Sequence, residues 1–213
     1  MMAGIQEVYD LVAKGKAKVV AAAVQDALDA GCDPTEILNQ GMIAAMDEVG
    51  AKFKSGEIFV PEMLVAARAM KKGVEVLKPH LATGAAGAAG KVIIGTVAGD
   101  LHDIGKNLVS MMMESAGFEI IDLGVDVAKE KFVEAYEANP DTKIICCSAL
   151  LTTTMPALRE AVALLNEAPF RSKIKVMVGG APITQAFADE IGADAYTEDA
   201  ASAAQRAKEL AAC

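Results

Sequence analysis

The residues best suited to chemistry are an aspartate and a histidine two positions apart, Asp100 and His102. Extended backbone places both side chains on the same side, so the carboxylate could orient the imidazole. This pairing suits a histidine that binds a metal through one ring nitrogen and donates the other N–H to the carboxylate. A histidine with a purely structural role is the alternative that these two residues leave open.

Two further segments carry groups that could face a ligand. Ser148 begins a stretch that ends in threonines 152–154, and glycines 179–180 are adjacent. The hydroxyl groups could reach a polar ligand group or Asp100, although a helix N-cap is the simpler interpretation of the threonines. The glycine pair, like Gly105, would let a bulky group approach the main chain or would form a tight turn.

All three segments follow apolar runs of strand length in the second part of the chain. The predicted strands are 91–98, 119–123, 143–148, 173–178 and 194–197. The predicted helices are 104–116, 128–138, 153–167, 182–191 and 199–211. Five such alternations predict an α/β fold with a five-stranded parallel sheet, flavodoxin-like or Rossmann-like. The segments then share the carboxyl edge of the sheet, where ligands bind.

The first part of the chain has helical hydrophobic spacing and no predicted strand. Four helices joined by short connections predict a small antiparallel bundle, the third starting at an Asp33-Pro34 N-cap and the fourth opening at Pro61. A Gly/Ala-rich stretch follows the bundle and is typical of a linker. We therefore predict a helical bundle domain at 1–81, a linker at 82–90 and an α/β domain at 91–213.

Composition narrows the functional classes. A formal net charge of -9 without any basic run argues against a nucleic-acid partner. No apolar stretch is long enough and uninterrupted enough to predict a membrane span, and the N-terminal residues carry no secretory signal, so we expect a cytoplasmic protein. Cys146 and Cys147 lie in an apolar strand and are expected to be buried thiols in a reducing compartment.

The metal chemistry open to His102 is restricted. Zinc needs three or four protein ligands, and the only other histidine is His80, in the helical part. The His102-Asp103 dipeptide also occurs in metal-dependent phosphohydrolases, but their further histidines are missing. A single imidazole suits a metal whose other positions are filled by a macrocycle.

The motifs resemble a known signature. Asp100-x-His102-x-x-Gly105, then Ser148-x-Leu150-x-Thr152 and Gly179-Gly180, resemble the cobalamin-binding signature of B12-dependent methyltransferases and mutases. The segments 46–50 and 56–64 are similar to the helical cap module of the methyltransferases. The chain as a whole resembles the corrinoid proteins of methylotrophic methyltransferase systems, and it is related in this way to the cobalamin-binding module of methionine synthase.

The resemblance implies a role for each motif residue. His102 becomes the lower axial ligand to cobalt in a cobalamin or related corrinoid, Asp100 accepts the other imidazole N–H, and Ser148 bonds that carboxylate, so Asp100 and Ser148 act in catalysis. The cap is expected to shield the upper face of the corrinoid. The implied cofactor-binding residues are Asp100, His102, Asp103, Ile104, Gly105, Ser148, Leu150, Thr152, Gly179 and Gly180, with Met46, Phe59 and Met63 from the cap.

The implied function is methyl transport. The cobalt is expected to accept a methyl group, as methylcobalamin, from a substrate-specific methyltransferase with a TIM-barrel fold. A second methyltransferase then passes the methyl group to a thiol or tetrahydropterin, and a reductive activation protein restores the cofactor. Little turnover is expected without these partners. The methyl donor stays open, and the alternatives are a cobalamin-binding isomerase subunit and a B12-sensing module.

Overall fold

The computed structural model describes residues 3–81 and 89–212. These divide into two compact units, a helical one that covers 3–81 and 115–117 and an α/β one that covers 89–114 and 118–212. The helical unit contains α1 (Ala3–Ala13), α2 (Val20–Asp29), α3 (Pro34–Glu36), a π-helical segment (Ile37–Ile43), α4 (Ala44–Ser55) and α5 (Val60–Leu77). Residues 82–88 of the predicted linker lie outside the described residues.

The predicted third helix is one helical stretch, α3 to α4, whose hydrogen bonding changes inside it. Asp33 caps its start by accepting the main-chain N–H groups of Thr35 at 2.8 Å and Glu36 at 3.1 Å, as the sequence predicts. The middle of the stretch is π-helical, which hydrophobic spacing does not reveal. Gly41 in that segment packs closely on α1, because a Cβ there would lie 3.3 Å from Val8.

Three methionines of the helical unit are core side chains. Met42, Met46 and Met63 are 0%, 3% and 1% exposed. Met42 packs against α5, where its Cε would lie 2.1 Å from a Cβ built on Gly73. Phe59, which precedes α5, is by contrast 68% exposed. The three thioethers thus fill the interior, as methionine does in irregular helical cores.

The α/β unit is built on a five-stranded parallel sheet. Its strands are β1 (Gly90–Thr96), β2 (Phe118–Asp122), β3 (Thr142–Ser148), β4 (Lys175–Gly179) and β5 (Ala195–Tyr196), in the order β2-β1-β3-β4-β5. Its helices are α6 (Ile104–Ser115), α7 (Lys129–Ala138), α8 (Met155–Glu167), α9 (Gln185–Ile191) and α10 (Ala200–Ala211). This strand order is the flavodoxin-like one, so the predicted fold class is confirmed.

The strands are buried as their apolar composition predicts. In β3, Ile144, Ile145, Cys146 and Cys147 are all 6% exposed or less. Burial raises the pKa of the Cys146 thiol to about 12. These cysteines therefore pack the core as neutral thiols, as expected from their apolar strand.

The topology brings two loops together at one edge of the sheet. From β1 the chain crosses to β2 on one side and then to β3 on the other, so the loops after β1 and β3 start side by side. The register pairs Thr96 with Ser148, the last residues of these two strands. The carboxyl edge of such a switch point is where α/β sheets bind ligands. Within 3–81 and 89–212, no helix is both long and apolar enough to cross a bilayer.

Candidate functional site

The histidine loop, residues 97–103, connects β1 to α6. Its Asp100 side chain is completely buried, whereas the His102 side chain is 49% exposed. His102 Nδ1 lies 2.7 Å from Asp100 Oδ1. Because the carboxylate engages Nδ1, Nε2 is the ring nitrogen that can coordinate a metal.

Asp100 accepts hydrogen bonds from two loops. Its Oδ1 also accepts the main-chain N–H of His102 at 3.1 Å, while Oδ2 accepts the Leu150 N–H and the Thr154 hydroxyl, each at 2.7 Å. Burial by itself raises the pKa of this carboxyl, but the hydrogen bonds outweigh burial and hold the pKa well below its ordinary range. Asp100 is therefore ionised at neutral pH and can accept a hydrogen bond from Nδ1–H.

The predicted hydrogen bond from Ser148 to Asp100 is wrong. Ser148 and Thr96 are paired across adjacent strands, and their hydroxyl oxygens lie 2.9 Å apart. Thr96 Oγ1 also donates to the main-chain carbonyl of His102 at 2.9 Å. Ser148 thus supports the histidine loop through Thr96, and Thr154 supplies the hydroxyl that bonds Asp100.

The sequence could not choose among the three consecutive threonines. Thr152 and Thr153 are exposed, whereas Thr154 is 5% exposed. Thr154 precedes α8 in the N-cap position, but its hydroxyl points to Asp100 and makes no capping bond within the helix. The simple N-cap interpretation therefore fails for this residue, and the role of Thr152 toward a cofactor stays a prediction.

Large apolar side chains are exposed on the same two loops. Leu101 is 71% exposed and Ile104 is 78% exposed around His102, and Leu150 and Leu151 are 41% and 40% exposed after β3. Exposed apolar side chains grouped beside buried polar groups are typical of a ligand-binding surface. The sequence motifs pointed to Ile104 and Leu150 but gave no signal for Leu101 or Leu151.

The motif glycines differ in what surrounds them. Gly180 has a φ of +129°, and a Cβ there would lie 1.8 Å from the carbonyl oxygen of Ala149. A Cβ on Gly105 would meet nothing within 4 Å, and one on Gly179 would approach only Thr197, at 3.9 Å. Gly180 is thus required by the fold, while Gly105 and Gly179 keep space beside the main chain.

The remaining predicted residues take no part in the hydrogen bonds of Asp100. Asp103 is exposed and accepts a hydrogen bond from Asn107 Nδ2 at 3.1 Å. Met46 and Met63 are buried and Phe59 is exposed in the helical unit, and their contact with a cofactor stays a prediction.

A buried lysine in this region forms an ion pair that no sequence motif indicated. The Lys106 side chain is 2% exposed, and its Nζ lies 2.6 and 2.7 Å from the two carboxylate oxygens of Asp122 at the end of β2. Its Nζ also donates to Asn107 Oδ1 at 2.9 Å. Lysines are rarely buried unless paired, so only the three-dimensional neighbourhood reveals this one.

The donor set fits a metal that brings most of its own ligands. Across the described ranges, no group of three or more His, Cys, Asp or Glu side chains could hold a metal ion. A half-exposed imidazole with its Nδ1 fixed can supply one axial ligand. The exposed apolar side chains and the space beside Gly105 and Gly179 suit a large, flat and partly apolar group.

Comparison with known proteins identifies that group. A family model described as a B12 binding domain matches residues 90–205, more than half of the chain, and a second model of that description matches residues 5–78. The chain belongs to the B12-binding protein family. The cofactor of this B12-binding protein is therefore a cobalamin or related corrinoid, as the motifs imply.

Relatives of this B12-binding protein match it over nearly its whole length. A dimethylamine corrinoid protein from Methanosarcina acetivorans is 49% identical over 97% of this chain and 96% of its own length. A trimethylamine corrinoid protein from the same organism is 46% identical over 97% of this chain and 98% of its own length. The methanol:cobalamin methyltransferase complex MtaBC from Methanosarcina barkeri matches with a TM-score of 0.85 and 30% identity, covering 99% of this chain and 80% of that one.

Proposed function

We propose that this B12-binding protein carries methyl groups between two methyltransferases. When bound, the corrinoid supplies the cobalt that takes up and gives up the methyl group. The observation that carries the proposal is the buried, ionised Asp100 holding a half-exposed His102 by Nδ1. The methylamine names of the relatives and the methyltransferase complex among the similar structures support it.

In this proposal His102 would hold the cobalt of the corrinoid through Nε2. Asp100 fixes the orientation and tautomer of the imidazole, because its Oδ1 accepts a hydrogen bond from Nδ1–H. Asp100 is in turn held by Leu150 N–H and the Thr154 hydroxyl from the loop after β3. Ligand and supporting groups thus come from two loops that the parallel sheet places side by side.

The surface around His102 would receive the corrin ring and its tail. Leu101, Ile104 and Leu150 offer apolar contact to the ring, and the open space at Gly105 and Gly179 admits a bulky tail. We propose that this space would receive the tail, and that His102 would hold the cobalt in place of the tail's own base.

The relatives favour a methylamine as the methyl donor. Identities of 49% and 46% over nearly the full length connect the chain to proteins named for dimethylamine and trimethylamine. We propose a substrate-specific methylamine methyltransferase as the first partner. A second methyltransferase serving a thiol or tetrahydropterin and a reductive activation protein complete the proposed system.

The test is reconstitution with cobalamin followed by visible spectroscopy and methyl transfer. Wild-type chain should retain about one corrinoid per chain and show the spectrum of histidine-ligated cobalt. His102→Ala should retain the corrinoid through its tail but lose that signature, while His80→Ala, which removes the only other histidine, should match wild type. With a dimethylamine methyltransferase and a chemical reductant that brings the cobalt to Co(I), the reconstituted chain should be methylated from dimethylamine.

Two results would contradict the proposal. Failure of the wild-type chain to retain any corrinoid would refute cofactor binding through this site. A His102→Ala spectrum identical to that of wild type would show that another group holds the cobalt. Methylation from methanol in place of a methylamine would refute the proposed donor but leave the carrier function intact.

A further inference from the structure

Asp126, in the loop after β2, has an unusual backbone conformation. Its φ is +54°, and among the described residues it is the one non-glycine residue with positive φ. This left-handed conformation is unfavourable for most residues that carry a side chain, and aspartate tolerates it better than most. Strain of this kind persists where the surrounding structure requires it and often marks a functional position.

Asp126 holds two consecutive residues of the histidine loop. Its Oδ1 accepts the main-chain N–H of Gly99 at 2.7 Å, and its own main-chain N–H donates to the Asp100 carbonyl at 3.0 Å. One residue therefore fixes the peptide groups before Gly99 and after Asp100, just ahead of His102. The side chain is otherwise exposed, so core packing does not explain its place.

The loop that carries Asp126 is itself fixed along β1. Thr96 N–H donates to the Gly124 carbonyl at 3.0 Å, and Val127 N–H donates to the Thr96 carbonyl at 2.9 Å. Val97 and Val127 form a parallel bridge beyond the end of the strand. Asp126 lies between these hydrogen-bonded residues, so the main chain that carries its carboxylate is fixed against β1.

We propose that Asp126 is a positioning residue for His102. From β3, Ser148 contacts the Thr96 hydroxyl that bonds the His102 carbonyl, and Thr154 bonds the Asp100 carboxylate. Asp126 holds the loop main chain from the β2 side. With both sides fixed, the imidazole is presented to the cobalt in one orientation. The inference rests on the proposed function for its effect on the cofactor, but not for its effect on the loop.

Three variants separate the hydrogen bond from the backbone strain. Asp126→Asn keeps an acceptor oxygen and tolerates positive φ, whereas Asp126→Gly keeps the conformation and loses the acceptor. Asp126→Ala loses the acceptor and is strained. The matched control is Asp199→Gly, since Asp199 also accepts a main-chain N–H, that of Ser202 at 2.8 Å, in the same unit at the start of α10.

The first measurement uses the cofactor-free chain. Amide hydrogen exchange followed by NMR should be about tenfold faster at Gly99 and His102 in Asp126→Gly, within about twofold of wild type in Asp126→Asn, and unchanged at both amides in Asp199→Gly. Wild-type exchange at His102 in Asp126→Gly would overturn the inference, whatever the chain binds.

The second measurement uses the cobalamin-loaded chain and its visible spectrum. The equilibrium constant for histidine ligation should fall about tenfold in Asp126→Gly, be rescued in Asp126→Asn, and be unchanged in Asp199→Gly. If Asp126→Gly ligates as well as wild type, Asp126 supports only the loop and positioning is refuted. If wild type shows no histidine ligation, the proposed function fails, and the exchange measurement alone decides the role of Asp126 in the loop.

Discussion

Two carboxylates, Asp100 in the α/β unit and Glu48 in the helical unit, both accept several hydrogen bonds but receive them from different kinds of donor. Asp100 is fully buried and bonds two main-chain N–H groups, the Thr154 hydroxyl and an imidazole. Glu48 is partly exposed and bonds the side chains of Lys52 and Tyr9. The pKa of each carboxyl is lowered by its donors.

The difference lies in what fixes the donors. The main-chain donors of Asp100 are held by the sheet and its loops, so the geometry at Asp100 depends on backbone conformation. The donors of Glu48 are long side chains on α1 and α4, and Lys52 is 44% exposed, so solvent and salt weaken that contact. A site that must orient a metal ligand gains from the first arrangement, whereas the second only joins two helices.

The largest expected effect comes from a backbone change beside Asp100. In Gly180→Ala, the new Cβ would overlap the carbonyl oxygen of Ala149, one residue before the Leu150 N–H that donates to Asp100. We expect the free energy of unfolding to fall by about 2–6 kcal/mol, adding overpacking to the strain of positive φ. Urea unfolding of the cofactor-free chain measures this. Near-native stability would show that the loop after β3 adapts to the added Cβ. The main-chain donors of Asp100 would then not be more firmly held than the side-chain donors of Glu48.

Asp100→Asn should have the next largest effect on stability. The main-chain N–H groups that donate to the two carboxylate oxygens would then face an amide, which has one acceptor oxygen. The free energy of unfolding should fall by about 1–3 kcal/mol, the penalty for a buried donor that loses its acceptor. The folded-state pKa of Asp100 is depressed, so its contribution is present above the ordinary carboxyl pKa and is lost as pH falls toward the folded value. The stability difference between wild type and Asp100→Asn should therefore narrow below about pH 4.

Glu48→Gln is the control for that measurement. Its stability change should be smaller and should diminish in high salt, since Lys52 and Glu48 are both partly exposed. A Glu48→Gln effect as large as that of Asp100→Asn would mean that main-chain and side-chain donors are equivalent here.

How much of the α/β unit and its site could be predicted from the sequence depends on whether each feature follows from a local pattern. The Asp-x-His spacing and the alternation of strands and helices predicted the sheet and the pairing of His102 with Asp100, because both depend on local periodicity. The choice of Thr154 over Ser148 depends on strand register, which pairs Ser148 with Thr96. Asp126 and Lys106 act across loops distant in sequence, and no local pattern marks them.

The hydroxyl assignment gives a sharper test within the α/β unit. Thr154→Val removes the donor to Asp100 Oδ2 with little change in shape and should lower the free energy of unfolding by about 1–2 kcal/mol. Thr154→Ser keeps the hydroxyl and should lose less. In the loaded chain, Thr154→Val should weaken histidine ligation more than Ser148→Ala, and the reverse order would restore the original assignment of Ser148.

In the helical unit, Tyr9→Phe removes one side-chain donor from Glu48. The hydrogen bond to Glu48, with burial, raises the pKa of Tyr9 to about 12, so the phenol is protonated and acts as the donor at neutral pH. We expect a loss of about 0.5–1.5 kcal/mol in the free energy of unfolding and no change in the cobalamin spectrum. A spectral change would show that this contact affects the site.

Gly105→Ala is expected to have the smallest effect on the stability of the cofactor-free chain. Its effect on cobalamin binding should be the most specific one. A Cβ on Gly105 meets nothing within 4 Å, and alanine is the better helix former at this position in α6, so stability should stay the same or rise slightly. Gly180 is needed because main chain lies against it, but no contact with the described residues explains Gly105. If the space beside Gly105 receives part of the corrinoid, Gly105→Ala should lower cobalamin retention tenfold or more.

Reconstitution followed by gel filtration measures this retention. Full retention with unchanged stability would show that Gly105 borders no part of the bound cofactor, and the proposed path of the tail would then have to pass elsewhere along the sheet edge.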